Sequence, residues 1–171
     1  MAALVCSALL ALSVGCREEV ATNLGAVPGL QELLPGGAGA GDPRPVGTRY
    51  WVSLDLSALE QPAVVAEVRA LSASPGTRVK FYRPGPLDNG APGLLLDEGM
   101  IENFGGQMPD LMPVEGLKVP VGDWTYVLIS ITPGVPGAWG VRGLNVVFTQ
   151  GGAAGSQDFD QAYKGTATAG E

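Results

Sequence analysis

The chain has no histidine, two cysteines and three lysines in its 171 residues. Each shortage closes off chemistry. Without histidine, neither a Ser-His-Asp triad nor a His-ligated zinc site can be assembled. The cysteines are Cys6 and Cys16, both near the start, so the rest of the chain offers no thiol pair for redox chemistry or metal binding. Positive charge is scarce: 10 basic residues against 17 acidic ones give a formal net charge of -7 and a pI of about 4.5. No Lys/Arg cluster is present to neutralise phosphates, which argues against a nucleic-acid partner and against attraction to anionic lipid. Long hydrophobic runs are missing too. The most apolar stretch, Ala2 to Val14, falls short of the roughly 20 residues that a spanning helix needs. No serine has a lysine three positions later, and Gly36 to Gly41 fits neither G-x-G-x-x-G nor the P-loop pattern.

Glycine and proline are abundant, at 26 and 14 residues. That share interrupts helices and points to turn-rich β structure or to linkers.

The first segment reads as an address. Ala2 to Val14 is an uncharged apolar core, Gly15 is small, Cys16 follows, and Arg17-Glu18-Glu19 is charged. Secretory signals need an apolar core of roughly 7–15 residues and a small residue at the cleavage site. The sequence Leu12-Ser13-Val14-Gly15-Cys16 resembles a bacterial lipoprotein signal. The resemblance implies that residues 1–15 are a signal peptide and that Cys16 carries the lipid. The protein would then be exported and anchored in the cell envelope, facing the periplasm or the exterior. Ser13 stands where that family usually has leucine, and the first charge is Arg17, so a natural start upstream of Met1 is expected. Lipidation would also give a role to Cys16, the cysteine left over once Cys6 departs with the signal.

Residues 16–48 read as a lipid-anchored flexible tether. Pro35 to Thr48 (PGGAGAGDPRPVGT) has no apolar period with which to build a core. A flexible segment of this length spans roughly 30 Å root-mean-square. Within it, Leu30, Leu33 and Leu34 fall on one helical face behind Pro28, which suits a short turn docked on the domain or a partner-binding patch.

The folded domain is expected over 49–165, with 166–171 as a disordered tail. Tyr50, Val52, Leu54 and Leu56 alternate with Trp51, Ser53, Asp55 and Ser57, the period of a half-buried strand. Val64 to Leu71 is a second candidate, although Val64, Val68 and Leu71 also fit helical spacing. Thr77 to Tyr82 is a third, with Val79 and Phe81 inward. Leu117 to Pro120 suits an edge strand, because proline cannot donate to a central ladder. The strongest signals are WTYVLISIT from Trp124 and AWGVRGLNVVFT from Ala138, joined by a Pro/Gly turn. Gly140 and Gly143 mark a candidate bulge in the second of these. Short strands at regular spacing predict an all-β, antiparallel sandwich.

Met112 to Gly152 is similar to the C-terminal half of immunoglobulin-like sandwiches in exported bacterial proteins, in its P-x-x-G turn, its Val-Pro strand lead and its Pro-Gly hairpin. The same stretch has a fainter similarity to periplasmic copper-chaperone domains. Those use histidines as well as methionines, and only Met100, Met108 and Met112 remain here. Thioethers select Cu(I), but methionine is also an adaptable packing residue.

Two further groups bear on function. Asp97, Glu98 and Glu102 cluster, and Asp158 and Asp160 are separated by one residue. Paired carboxylates serve glycoside hydrolysis or calcium binding, yet spacing alone specifies neither, and a solvated surface is the favoured reading of each cluster. Trp51, Trp124 and Trp139 would form a sugar platform if they shared a face, and core otherwise. The sequence therefore points to a non-enzymatic, lipid-anchored envelope protein acting as a binding or structural module. Cys16 is its one residue of assigned chemistry, with no cofactor, metal or catalytic residue. Its partners would be the membrane, through the lipid, and an envelope protein. The alternative is an extracytoplasmic module for Cu(I), through methionine, or for carbohydrate; an acid-dependent hydrolase ranks third.

Overall fold

The computed structural model describes residues 28–33, 35–84, 96–97 and 111–170. Among them are twelve strands and no helix. In chain order these are β1 (Leu30–Glu32), β2 (Gly36–Gly39), β3 (Arg44–Pro45), β4 (Tyr50–Ala58), β5 (Ala63–Ala73) and β6 (Arg78–Pro84). Then come β7 (Leu96–Asp97), β8 (Leu111–Pro113), β9 (Lys118–Val119), β10 (Thr125–Thr132), β11 (Gly137–Gln150) and β12 (Ala153–Thr168).

They form two six-stranded sheets. The first runs β1-β4-β10-β6-β8, with β7 also on β4; the second runs β2-β12-β11-β5-β9, with β3 also on β12. The orders β1-β4-β10-β6 and β12-β11-β5 are the A-B-E-D and G-F-C sheets of an immunoglobulin sandwich. The leading strand changes sheets: β1 pairs antiparallel with β4, whereas β2 and β3 pair parallel with β12. The fold is thus all-β and immunoglobulin-like.

Alternation builds the core. Tyr50, Val52, Leu54 and Leu56 are buried, and their ladder partners on β10 are Ile131, Ile129, Val127 and Thr125. Val65, Val68, Leu144, Val146, Phe148 and Phe159 meet them from the second sheet within one hydrophobic cluster. Burying each such side chain contributes about 1.5–3 kcal/mol. Phe81 and Val79 pack against this cluster, in keeping with their expected inward direction.

Two irregularities shift that alternation. Along β5, Val147 pairs with Glu67 but Phe148 pairs with Val65, so Ala66 is an extra residue. The buried positions therefore move from Ala63 and Val65 to Val68. Val64, Val68 and Leu71 do not share one face despite their helical spacing; the segment is strand, with Val68 buried and Val64 and Leu71 exposed. On β11 the register slips between Arg142 and Leu144, around Gly143 at φ 67. Buried side chains accordingly shift from Trp139 and Val141 to Leu144, Val146 and Phe148. A left-handed φ at the slip is why glycine occupies that position.

The expected boundaries of the domain need correction. The segment read as tether, 16–48, contains β1, β2 and β3. Leu30 docks in the core, but as strand rather than helical turn, while Leu33 is exposed and Leu34 lies outside the described residues. Gly37, at φ 95, approaches so near β12 that a side chain there would land on the Ala162 backbone. Glycine-rich composition here marks a close backbone approach, not a linker. At the other end, the tail expected from 166 is strand as far as Thr168, and Ala167 is buried in the core.

Candidate interaction surface at the proximal end

The strand directions give the sandwich two distinct ends. The described chain begins at Pro28 beside the C-terminal end of β4, because Leu30 pairs with Ala58. The start of β5, the start of β10 and the β11–β12 turn lie at this same, proximal end, since Gln150 pairs with both Ala63 and Ala153 and Thr125 pairs with Leu56. The distal end holds the β5–β6 and β10–β11 turns and the last paired residue, Thr168.

Glutamines bind the leading strand to the second sheet. The Oε1 of Gln150 accepts the Gly29 N–H at 2.9 Å, and its Nε2 donates to the carbonyls of Leu59 at 2.6 Å and Gln61 at 2.5 Å. Between those carbonyls sits Glu60 at φ 61, the one described non-glycine residue with positive φ. A left-handed residue costs about 1–2 kcal/mol, and Gln150 holds the turn from both sides. One step along, the Oε1 of Gln157 accepts the Leu30 N–H at 2.9 Å while its Nε2 donates to the Leu30 carbonyl at 2.7 Å. Finally, Gln161 donates from Nε2 to Glu32 Oε2 at 2.8 Å and accepts the Tyr163 hydroxyl at 3.3 Å. Sequence reading missed these residues. The signal was present at Gln161, which falls between Phe159 and Tyr163 on the inward face of a period-two strand.

Around this clasp the surface is apolar. Leu59 is 38% exposed, Val64 40%, Val121 46% and Trp124 41%. A parallel bridge between Ala58 and Val121, and the Ala58 N–H donating to the Pro120 carbonyl at 2.8 Å, hold the 120–124 segment against the end of β4. Exposed Leu111 and Met112 on β8 flank the end of β6 on the same side. The charges nearby are Glu60, Glu115 and Asp123, against Lys118 on β9 and Arg83 near the end of β6.

Of the residues singled out earlier, Cys16 lies outside the described residues, as do Met100, Met108, Glu98 and Glu102. The three tryptophans do not share a face. Trp139 is in the core, its ring 5.0 Å from that of Tyr50. Trp51 lies on the outer face of the first sheet, 1% exposed, 6.0 Å from the Tyr82 ring and with the Arg49 guanidinium 5.6 Å from its centroid. Trp124 is at the proximal end. A flat three-indole sugar platform is therefore not what the fold makes. Asp158 takes a hydrogen bond from Asn145 Nδ2 at 2.6 Å, and Asn145 Oδ1 accepts from Arg69 Nε at 3.1 Å. That row braces three strands of the second sheet. No group of three or more His, Cys, Asp or Glu that could hold a metal occurs among the described residues.

Two titratable groups are perturbed by position. Burial raises the Asp55 carboxyl above its ordinary range, partly offset by a hydrogen bond from Ser53. Burial also pushes the Tyr163 phenol well above its ordinary value, with the charges of Glu32 and Asp55 adding to the effect. Tyr126, the ladder partner of Asp55, is raised by burial and by that carboxylate. All three depart in the direction that favours the neutral form.

No family profile and no curated protein matches the chain. Among solved structures it is similar to the VesB protease of Vibrio cholerae at 10% identity and TM-score 0.43, over 80% of this chain and 32% of that one. It is also similar to a PapD-like domain of human CEP192 at 12% identity and TM-score 0.42, over 85% of this chain and 89% of that one. The chain thus spans about a third of the length of the first.

Proposed function

We propose that the protein is a lipid-anchored, extracytoplasmic β-sandwich that serves the cell envelope as a non-enzymatic binding or structural module. One observation carries the reading: an apolar run ends at Cys16 before a charged stretch, and twelve residues later, at Pro28, the chain reaches a sandwich whose first strand sets Leu30 in the core. The composition supports the non-enzymatic half. A chain with no histidine and one cysteine beyond the signal has few groups that titrate near neutrality or act as nucleophiles. The glutamine clasp supports the structural half, because it fixes the leading strand to both sheets.

The test is fractionation of cells expressing the wild type or a Cys16→Ser variant. The wild type should sediment with membranes and carry a labelled acyl chain, and the variant should appear in the soluble fraction. Membrane association that survives Cys16→Ser overturns the anchor.

A further inference from the structure

We infer that the proximal end of the sandwich rests on the surface of a lipid bilayer, with Trp124, Val121 and Leu59 entering the interface. The inference deepens the anchor proposed above and rests on it. Three observations converge. First, the exposed apolar side chains are unevenly placed: Leu59, Val64, Val121 and Trp124 surround the proximal end, with Leu111 and Met112 beside them, whereas the distal end exposes Val135 and Leu71. Second, the chain joins the sandwich at this end and leaves it at the other, so a lipid on Cys16 draws the proximal end toward the membrane. The leash is short. With β1 already part of the sandwich, residues 17–27 remain between anchor and domain, and they reach at most about 40 Å even fully extended. Third, the chemistry suits an interface. An indole places an apolar ring and an N–H donor where hydrocarbon meets headgroup, and aliphatic neighbours add buried area.

The charges choose between lipid types. Glu60, Glu115 and Asp123 face Lys118 and Arg83 around the patch, and this slight acidic excess disfavours an anionic headgroup relative to a zwitterionic one. Contact is therefore made by apolar insertion and is insensitive to salt. The clasp suits this role as well, because Gln150 gathers Gly29, Leu59 and Gln61 and so presents the loops of this end as one rigid surface.

The experiment uses the full-length lipidated protein in phosphatidylcholine vesicles, with and without bromine on the upper acyl chain. Vesicle flotation is read first and tryptophan emission second. Trp51 and Trp139 are buried, which leaves Trp124 as the exposed indole. The wild type should float, lose emission in brominated vesicles, and lose less when anionic lipid is added. Trp124→Phe should float and keep its emission. A Trp124→Phe/Val135→Trp variant, which moves the exposed indole to the distal end, should float and keep its emission too. A wild type that floats without quenching overturns this proposal and leaves the anchor standing, as does quenching that persists in Trp124→Phe. A wild type that does not float overturns both.

Discussion

The side chain of Gln157 pairs with the backbone of Leu30 in both directions, accepting its N–H at 2.9 Å and donating to its carbonyl at 2.7 Å. A carboxamide on the second sheet thus completes, for one residue, the ladder that an edge strand of the first sheet would otherwise leave open. Edge strands with unpaired groups invite pairing with other chains, and this bond blunts one such edge. Gln157→Leu removes donor and acceptor together and should lower stability by about 1–3 kcal/mol, with faster amide exchange at Leu30. Gln157→Glu keeps an acceptor for the N–H but sets a carboxylate against the Leu30 carbonyl, so it should fray β1 at least as much. Unchanged exchange at Leu30 in either variant would show the bond to be dispensable.

Gln150 is the more heavily used of the glutamines. Replacing it with Met keeps the volume but strands the Gly29 N–H and the Gln61 carbonyl, and leaves the Leu59 carbonyl with the Gln61 N–H alone. The loss should be on the order of 3 kcal/mol, read from the urea midpoint at constant m. Glu60→Gly, at the left-handed position between those carbonyls, should recover about 1 kcal/mol in the same assay.

Two glycines are required by close approach. A Cβ on Gly37 would meet the Ala162 backbone, and one on Gly165 would sit 2.6 Å from the Trp139 ring and 2.8 Å from Ala40 Cβ. Gly165 is the ladder partner of Trp139, so the indole covers the bare backbone that glycine leaves. Gly37→Ala should peel β2 from β12 and expose 36–48 to proteolysis while the core stays folded. Gly165→Ala should displace Trp139 and lower the melting temperature by several degrees, on the order of 1–3 kcal/mol.

Alkaline pH should weaken the fold through Tyr163. Its phenol ionises near 10.0 in the unfolded chain and well above that in the folded one. The folded state therefore keeps a proton that the unfolded state releases, and stability falls as pH rises past 10. Tyr163→Phe should flatten that fall in denaturant midpoints measured from pH 8 upward. Asp55 acts in the same sense at low pH. Its folded carboxyl titrates above 3.8, so its contribution is full below that value and is lost as pH rises through the folded value. Asp55→Asn should accordingly gain stability at pH 7 relative to the wild type and show no such gain at pH 3.

Where one side of a strand is apolar, the sequence was a sufficient guide. In Tyr50 to Leu56, Val127 to Ile131 and the return strand after Ala138, the alternating apolar positions Tyr50, Val52, Leu54, Leu56, Val127, Ile129, Ile131, Val141 and Val146 are all core. It fails where backbone rather than side chains makes the contact. Gly36–Gly39 has no pattern because its role is to lie flat against β12. The extra residue at Ala66 disguised β5 by breaking its period. Trp51 shows a different limit: it belongs to the outward set of β4 and is nonetheless buried, which local alternation cannot foresee. The proximal surface was not legible either. Leu59, Val64, Val121 and Trp124 are scattered along the chain, and only the sheet topology brings them to one end.

The placement of β1 also sets how the domain answers a pull. Because β1 begins at the proximal end and runs inward against β4, tension on the residues before Pro28 acts along the strand axis. The bonds that Gly29 and Leu33 make with Leu59 and Asp55, together with the Gln150 and Gln157 bonds, are then sheared together rather than unzipped one after another. Shear geometry resists far greater force than peeling for the same number of bonds. The glutamine bonds thus add to the resistance of the leading strand to a pull along its axis.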